Sequence, residues 1–322
     1  MGGGRISDYR LLVRLGADLP GAVAVEAATE PDGRDDPTVA DIEPDAADHP
    51  LRYSLAGVQL KYSVHSSRLT LPSSGAGSWW IVKLPDRSIP SLAENEYLTM
   101  RWIGAAGMDT PRVELSPAGS VSELPSGFVQ PDDLLYLTER YDRSPTGRVH
   151  VEDFAQVADV DPREKYGEFG ATYDSMGTVV SRLLGEEGLR AYLERLVAMV
   201  ITGNTDAHLK NWSLWYPDGQ TPQLAPVYDF HSLTIYTRYR YAPLALSLAG
   251  ERMPNRIELS HIRRLAESCG SDPGAAADLA TDTVERLRGA WQREIGDEAA
   301  NRFPALAEHY EWRISNLPIC QT

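Results

Sequence analysis

The sequence has little cysteine, no long apolar run and a shortage of basic residues. Its two cysteines, Cys269 and Cys320, lie far apart, which argues against a disulfide framework or a cysteine metal site. No apolar run reaches the roughly 18 residues that a membrane helix needs. The N-terminus MGGGRISDYR has neither a signal-peptide stretch nor an Arg/Ser-rich transit peptide. The sequence therefore predicts a cytoplasmic protein without a membrane span.

Acidic residues outnumber basic ones, with 46 Asp+Glu against 31 Lys+Arg and a net charge of -15. This charge repels a phosphate backbone at long range, so direct nucleic-acid binding is not expected. The short basic sets at 238–241 and 263–264 are interpreted as solvated or helix-face charges. A basic partner protein would suit the surface better.

The residue pattern changes along the 322-residue chain, which is long enough for one two-lobed domain or two small domains. Residues 29–50 are acidic, proline-rich and poor in large apolar side chains, which predicts a flexible linker or mobile loop. Short alternating runs over 51–84 predict an antiparallel sheet. Further strands are predicted at 112–115 and 134–141, and helices at 92–106, 172–184, 189–201, 260–267, 275–295 and 299–314. A β-rich first part is thus followed by an α-rich second part.

Two charged residues of the first part are candidates for the lysine and the carboxylate that phosphoryl transfer requires. Lys83 ends the apolar run WWIV, as the phosphate-contacting lysine of a kinase ends a buried strand. A solvated strand end is the alternative. Glu96, in the predicted helix, is placed to hold that lysine, with Glu94 as a close competitor.

The segment GNTDAHLKNWSLWY at 203–216 carries the most specific pattern in the chain. Asp206 and Asn211 reproduce the DxxxxN spacing that places a catalytic base beside a metal ligand, and Asp229 follows as a second, anionic ligand. Lys210 could neutralise the transferred phosphoryl group, and His208 could contact a phosphate or the base. The alternatives are a helix N-cap for Asp206 and a capping or core role for His208.

The Gly-rich phosphate loops of known nucleotide-binding proteins are absent: neither GxxxxGK[ST] nor GxGxxG occurs. Residues 54–61, SLAGVQLK, are the remaining candidate for a phosphate cover, because small residues let a backbone approach oxygen atoms and Lys61 adds a cation. The same residues could equally form a tight hairpin bend.

The motifs SLAGVQLK, IVKLP, ENEYL, LTERYDR, GNTDAHLKNWSL and PVYDFHS, in that order, resemble the HipA family of bacterial serine/threonine kinases, toxins of type II toxin–antitoxin systems. The resemblance implies an α+β, two-lobed, protein-kinase-like fold with a β-rich N-lobe and an α-helical C-lobe. It implies an N-terminal segment at 1–50, the N-lobe at 51–145 and the C-lobe at 146–322.

The same resemblance implies ATP and Mg²⁺ as cofactors and assigns roles to particular residues. Asp206 would be the catalytic base, Asn211 and Asp229 the magnesium ligands, and Glu96 the residue that orients Lys83. The remaining implied nucleotide contacts are Lys61, Lys83, His208 and Lys210 at the phosphates, Glu139 and Tyr141 at the adenine, and Tyr228 at its border. Ser54 aligns with an autophosphorylated serine, whose phosphate would repel nucleotide.

The chain resembles the short, HipT-like members of the family, in which a separate HipS-like polypeptide replaces an N-terminal subdomain. Expected partners are therefore a HipS-like protein, a DNA-binding HipB-like antitoxin, and a protein substrate, in this family typically an aminoacyl-tRNA synthetase. Residue 56 is alanine, so a second autophosphorylation serine that some short members carry is absent.

The sequence is also compatible with three other functions. A small-molecule phosphotransferase of similar fold would keep Asp206, Asn211 and Asp229. A metal-dependent hydrolase could use the two Asp-x-His pairs at 206–208 and 229–231 to hold zinc or iron. An inactive pseudokinase would act as a binding subunit beside an antitoxin.

Overall fold

A computed structural model describes residues 19–25, 61–64, 79–121, 129–167 and 170–321, with residues 61–64 described by their backbone alone. The predicted flexible segment at 29–50 and the predicted phosphate-loop serine, Ser54, lie outside the described residues. Within the described ranges, no helix has both the length and the apolar character needed to cross a bilayer.

The first part of the chain forms a four-stranded antiparallel sheet. Its strands, in the spatial order β1-β2-β4-β3, are β1 (Lys61–Val64), β2 (Trp80–Lys83), β3 (Val113–Pro117) and β4 (Leu134–Glu139). Alternate residues of a strand face opposite sides of a sheet, so Trp80 and Val82 pack with Leu137 in a small core on one face. Lys83 pairs with Tyr136 in the β2–β4 register, and Tyr136 belongs to the main core on the other side.

One long helix, α1 (Leu92–Ala105), joins this sheet to the helical part of the chain. Trp102 of α1 is fully buried, and its indole Nε1 donates a hydrogen bond of 2.8 Å to the carbonyl of Leu287. Its ring lies 5.0 Å from that of Trp291 and 4.8 Å from that of Tyr310. The helix that carries Glu96 is therefore fixed by the core of the helical part.

The second part of the chain is mainly helical. Its helices are α2 (Phe154–Val157), α3 (Tyr173–Thr202), α4 (Leu259–Ser268), α5 (Pro273–Ala290), α6 (Gly296–Arg302) and α7 (Pro304–Asn316). The helix α3 begins with a capping box, in which Thr172 and Ser175 satisfy each other's backbone amides. Its buried residues pack with α4, α5 and α7 around one core. This helical part is called the C-lobe below, and the four-stranded sheet with α1 the N-lobe.

Short strands also occur between the lobes and within the C-lobe. They are β5 (Arg143–Ser144), β6 (Gly147–Arg148), β7 (His150–Asp153), β8 (Ser213–Tyr216) and β9 (Gln223–Leu224). The strands β7, β8 and β9 form an antiparallel sheet with β8 in the centre. The prediction of an α-rich second part did not include this sheet, although the Pro-Asp-Gly turn after β8 is a hairpin signal.

Local backbone geometry explains the outcome of two helix predictions. The predicted helices at 172–184 and 189–201 are the two halves of α3, interrupted at Gly185 with φ 67° and ψ -162°. The predicted single helix at 299–314 is wrong, because the chain leaves the helical conformation at Phe303 before starting α7 at Pro304. A proline disfavours helical geometry in the residue before it, which accounts for this break.

The early segment 19–25 packs against the connection that follows β4. The amide of Gly21 donates to the Asp142 carboxylate at 2.7 Å, and Arg143 donates to the carbonyl of Leu19 at 3.1 Å. Asp142 is also held by Arg140 at 2.9 Å. The described residues of the stretch GADLPGAV thus pack against the connection between β4 and β5.

The C-terminus of α3 is capped by a buried arginine. Arg313 of α7 is only 4% exposed, and its guanidinium donates to the carbonyls of Ile201 and Val200 at 2.7 and 2.5 Å. Carbonyls at a helix end have no partner within the helix, so a buried arginine stabilises them. This cap fixes α3 directly before the segment that contains Asp206.

One turn earlier in α7, His309 introduces a pH dependence into the stability of the protein. Its Nε2 lies 3.0 Å from Thr234 Oγ1, and burial together with Arg313 and Arg240 lowers the pKa of His309 to about 3. An unfolded histidine titrates near about 6.5, so between these values the unfolded chain binds a proton that the folded chain does not. This contribution to stability is present above about pH 6.5 and is lost as the pH falls towards 3.

We therefore expect His309→Gln to lose less free energy of unfolding than the wild type when the pH is lowered from about 7 to about 5. Urea unfolding at both pH values measures the difference. Parallel losses in the two proteins would contradict the assignment of a lowered pKa to this side chain.

Candidate active site

Lys83 connects the two lobes. Its Nζ lies 2.5 Å from Glu96 Oε1 of α1 and forms a second ion pair with Asp229 of the C-lobe. Burial by itself lowers the pKa of Lys83, but Asp229 and Glu96 outweigh that effect and raise the pKa above its ordinary value. Lys83 is therefore a charged ammonium held between two carboxylates.

The predicted contact between Lys83 and a carboxylate of the following helix is confirmed, and Glu96 rather than Glu94 makes it. Glu96 is 1% exposed and belongs to the buried side of α1, whereas Glu94 is partly exposed. A buried ion pair of this kind depends on both partners, because removal of one leaves an uncompensated charge.

Asp206 lies in the turn that follows α3. That helix ends at Gly203, whose left-handed backbone (φ 70°, ψ 31°) turns the chain. The Asp206 amide donates to Asn204 Oδ1 at 3.2 Å, and its Oδ1 accepts a hydrogen bond of 2.9 Å from the hydroxyl of Tyr166. The N-cap alternative for Asp206 is wrong, because the next helical turn, Leu209–Asn211, has His208 at its N-cap position.

Asn211 and Asp229, the predicted metal ligands, are in direct contact. Asn211 Nδ2 donates to Asp229 Oδ2 at 2.7 Å, while Asp229 Oδ1 contacts Lys83. Asp229 has a positive φ of 61°, a conformation that costs a non-glycine residue about 1–3 kcal/mol and is enriched at functional sites. The two residues thus form a pair although they are separated by a hairpin and a loop.

This pair presents oxygen atoms of the kind that a divalent cation prefers. Asn211 Oδ1 is buried and has no hydrogen-bond partner among the residues that the structure describes. Mg²⁺ prefers carboxylate and carbonyl oxygens, which Asp229 and Asn211 supply side by side. Glu96, Asp229 and His231 also bring ligand atoms within 4.8 Å of one another. The residues present therefore fit a cation bound at Asp229 and Asn211.

His208 and Lys210, which the sequence places near the phosphates, have partners within the C-lobe. Burial, reinforced by Lys165, lowers the pKa of His208 to about 4, so its ring is neutral at pH 7. The ring also packs edge-on against Tyr166 at 5.2 Å. Lys210 Nζ forms an ion pair of 2.7 Å with Asp153. At neutral pH His208 can thus offer a hydrogen bond but no positive charge.

The residues predicted at the adenine lie where the N-lobe passes into the C-lobe. Glu139 is the last residue of β4. The rings of Tyr141 and Tyr228 stack with centroids 5.4 Å apart, and the Tyr228 hydroxyl lies 2.6 Å from Ser213 Oγ and donates to the carbonyl of Lys210 at 3.0 Å. Tyr228, the residue before Asp229, is thereby hydrogen-bonded to the segment that contains Asn211.

Two predicted site residues, Lys61 and Ser54, lie partly or wholly outside the described residues. Lys61 begins β1 and is the backbone partner of Lys83 in the antiparallel register. Its side chain and the whole of Ser54 lie outside what the structure describes. Their roles therefore stay predictions.

Sequence reasoning missed two residues that contact the site. Asp153 binds Lys210 and also accepts the amide of Gln156 in a capping box, which an Asp-x-x-Gln pattern could have indicated. Tyr166, which contacts Asp206, belongs to an irregular segment with no recognisable motif. No sequence signal identified it.

The zinc or iron alternative needs both Asp-x-His pairs to meet. Among the described residues, the cluster that could hold a metal contains Asp229 and His231 with Glu96, and neither Asp206 nor His208 belongs to it. The ammonium of Lys83 is bound to two of its three members. This arrangement does not favour a transition-metal hydrolase.

Comparison with known sequences identifies relatives of the chain. A family model described as the HipA-like C-terminal domain matches residues 53–291. Y4dM of Sinorhizobium fredii (strain NBRC 101917 / NGR234), named as a candidate kinase, is 37% identical over 292 residues, which cover 89% of this chain and 70% of Y4dM. The serine/threonine-protein kinase toxin HipA of Shewanella oneidensis is 25% identical over 299 residues, covering 81% of this chain and 65% of that protein.

Solved structures show the same fold. HipA of Shewanella oneidensis MR-1, solved with HipB and its operator DNA, matches with a TM-score of 0.72 at 22% identity and covers 100% of this chain and 80% of HipA. The Helicobacter pylori proinflammatory kinase CtkA matches with a TM-score of 0.55 at 12% identity, covering 84% of this chain and 92% of CtkA. The predicted α+β, kinase-like fold is confirmed. The family match over residues 53–291 and the 37% identity to Y4dM show that this chain belongs to the HipA-like C-terminal domain family.

Proposed function

We propose that this chain is an ATP- and Mg²⁺-dependent serine/threonine protein kinase. The observation that carries the proposal is the contact of Lys83 with both Glu96 and Asp229, with Asn211 against the same aspartate. Kinases require this lysine–glutamate pair and a metal-binding aspartate to be in place together. Kinship to proteins named as kinases supports the same activity.

The chemistry assigns one task to each side chain. ATP with Mg²⁺ supplies the γ-phosphoryl group and a positive charge beside its oxygens. Asn211 and Asp229 would hold the cation, and Lys83 would neutralise phosphate oxygens. Asp206 accepts the proton of the substrate hydroxyl while that oxygen bonds to the γ-phosphorus and the bond from phosphorus to the ADP oxygen breaks. Tyr166 holds the Asp206 carboxylate through its hydrogen bond of 2.9 Å.

The remaining predicted contacts concern nucleotide binding. Glu139 and Tyr141 would meet the adenine, and Tyr228 would border it. Lys61, His208 and Lys210 would lie at the phosphates, with His208 as a neutral hydrogen-bonding group because of its lowered pKa. Lys210 would exchange its ion pair with Asp153 for a phosphate oxygen.

Kinship to a toxin supports a biological role for the proposed activity. HipA of Shewanella oneidensis is a toxin and was solved with HipB and operator DNA. We infer that this chain is likewise a toxin, that a HipB-like antitoxin or a separate HipS-like protein neutralises it, and that it phosphorylates a housekeeping protein such as an aminoacyl-tRNA synthetase. Phosphorylation of its own Ser54 would add about -1.5 to -2 charges beside the nucleotide and switch the enzyme off.

Incubation of the purified protein with γ-labelled ATP and Mg²⁺ tests the activity and the phosphate acceptor. We expect label on Ser54, located by peptide mapping, and its loss in Ser54→Ala. The matched control is Ser88→Ala, which removes an exposed serine between β2 and α1 and should leave labelling unchanged.

Label transfer, together with nucleotide-binding and metal analysis of the same protein, separates the other candidate functions. Transfer of label to a small alcohol or amine, with none to protein, would support the small-molecule phosphotransferase. Absence of both nucleotide binding and transfer would support the pseudokinase. Activity that needs a tightly retained transition metal and no ATP would support the hydrolase.

A further inference from the structure

Asn95 is a buried polar residue to which the proposed chemistry gives no task. It precedes Glu96 in α1 and is 0% exposed. Its Nδ2 donates to the carbonyl of Ser232 at 2.8 Å, and its Oδ1 accepts the amide of the same residue at 2.8 Å. The side-chain amide therefore pairs with both backbone groups of one residue, Ser232, as a residue of a neighbouring β-strand would.

The partner of Asn95 lies in the loop that carries the strained aspartate. Ser232 is three residues after Asp229, and the following amide, that of Leu233, donates to the carbonyl of Gly203 at 3.1 Å. Gly203 is the residue at which α3 ends before Asp206. The loop is thus held by α1 on one side and by the Asp206 turn on the other.

The helix α1 therefore contacts two parts of the site, Lys83 and the loop that contains Asp229. Glu96 binds Lys83, and the adjacent Asn95 binds the loop of Asp229, so a shift of α1 moves both contacts together. A backbone with a φ of 61° persists at a non-glycine residue only when its surroundings fix it. Two hydrogen bonds from a fully buried amide supply that constraint, because breaking them leaves buried polar groups without partners.

We propose that Asn95 is a positioning residue that holds the Asp229 loop in its cation-binding conformation and couples it to the Lys83–Glu96 ion pair. The proposal rests on the function proposed above, because it takes Asp229 and Asn211 as ligands of the nucleotide-bound Mg²⁺. Asn95 itself touches neither the nucleotide nor the cation, and acts through Ser232.

The test measures how strongly nucleotide binding depends on Mg²⁺. A fluorescent ATP analogue is titrated against the protein in EDTA and at rising Mg²⁺ concentrations. For Asn95→Ala we expect the half-saturating Mg²⁺ concentration to rise about tenfold or more, and the affinity in EDTA to change less than about twofold. In phosphoryl transfer, kcat should fall more than KM for ATP rises at saturating Mg²⁺.

Two further variants separate positioning from loss of stability. Asn95→Asp keeps an acceptor for the Ser232 amide but loses the donor to its carbonyl, so it should show the same shift. Thr283→Val removes a hydrogen bond from a side chain that is also 0% exposed, in α5, and should keep the wild-type Mg²⁺ dependence despite a similar loss of thermal stability.

A measurement on the wild type covers the case in which the Asn95 variants do not fold. In hydrogen exchange, the Ser232 and Leu233 amides should open together with those of α1, and Mg²⁺ with nucleotide should slow both groups. Independent opening of the loop, or an unchanged Mg²⁺ requirement in folded Asn95→Ala, would overturn the proposal. Wild-type protein that shows no Mg²⁺-dependent nucleotide binding would instead overturn the proposed function.

Discussion

Replacing Asp206 with asparagine is expected to reduce phosphoryl transfer about 10²–10⁴-fold, the usual contribution of a general base. The change is isosteric, and the amide oxygen can still accept the hydrogen bond from Tyr166. An amide cannot take the proton of the substrate hydroxyl at neutral pH. The variant should therefore bind ATP and Mg²⁺ like the wild type and fail in the transfer step.

Label transfer and nucleotide titration measure these two quantities in the same preparations. The matched control is Asp282→Asn, an exposed carboxylate of α5 whose ion pair with Arg286 should contribute little to stability. In cells, induction of the wild type should arrest growth and induction of Asp206→Asn should not. Equal toxicity of the two proteins would remove phosphoryl transfer as the cause of arrest.

Replacing Gly203 with alanine is expected to destabilise the protein by about 2–5 kcal/mol, which is large for a single methyl group. A left-handed backbone costs a non-glycine residue about 1–2 kcal/mol. The added Cβ would also overlap Thr234 Oγ1 and lie 3.1 Å from Arg313 Cζ, both in a packed region. Overpacking of this kind adds about 1–3 kcal/mol.

Gly270 provides the control for backbone strain without a clash. It follows the end of α4, has a φ of +77°, and within the described structure a Cβ there would meet no atom within 4 Å. Gly270→Ala should therefore cost only about 1–2 kcal/mol in urea unfolding. Similar losses in the two variants would show that the contacts around Gly203 do not matter. A larger loss at Gly203 should be accompanied by reduced transfer, because Asp206 lies in the same turn.

The sequence predicted those features that depend on local periodicity and on motifs with fixed spacing. The strand that ends at Lys83 and the helix that carries Glu96 follow from apolar patterns, because each element needs a buried face. The meeting of Asn211 with Asp229 followed from kinase spacing and is formed in the structure. Periodicity also located most helices of the C-lobe, with errors at their ends.

What the sequence did not predict depends on contacts between distant segments. The choice between Glu96 and Glu94 is set by the packing of α1 on both lobes, which no local pattern encodes. The hydrogen bond from Tyr166 to Asp206 joins residues forty positions apart in an irregular segment. The pairing of Asn95 with Ser232 spans 137 positions. Such contacts become visible only when the chain has folded.

The ion pair between Lys83 and Asp229 has a consequence for the order in which ligands arrive. In this arrangement a bare divalent ion meets a carboxylate whose charge is already balanced by an ammonium, so its electrostatic gain on binding alone is small. When the polyphosphate of a nucleotide binds, the Lys83 ammonium can pair with its oxygens instead of with Asp229, which leaves the Asp229 carboxylate available to the metal. Lys83 thus balances the charge of Asp229 before any ligand binds. We therefore expect the metal to bind together with its nucleotide rather than before it.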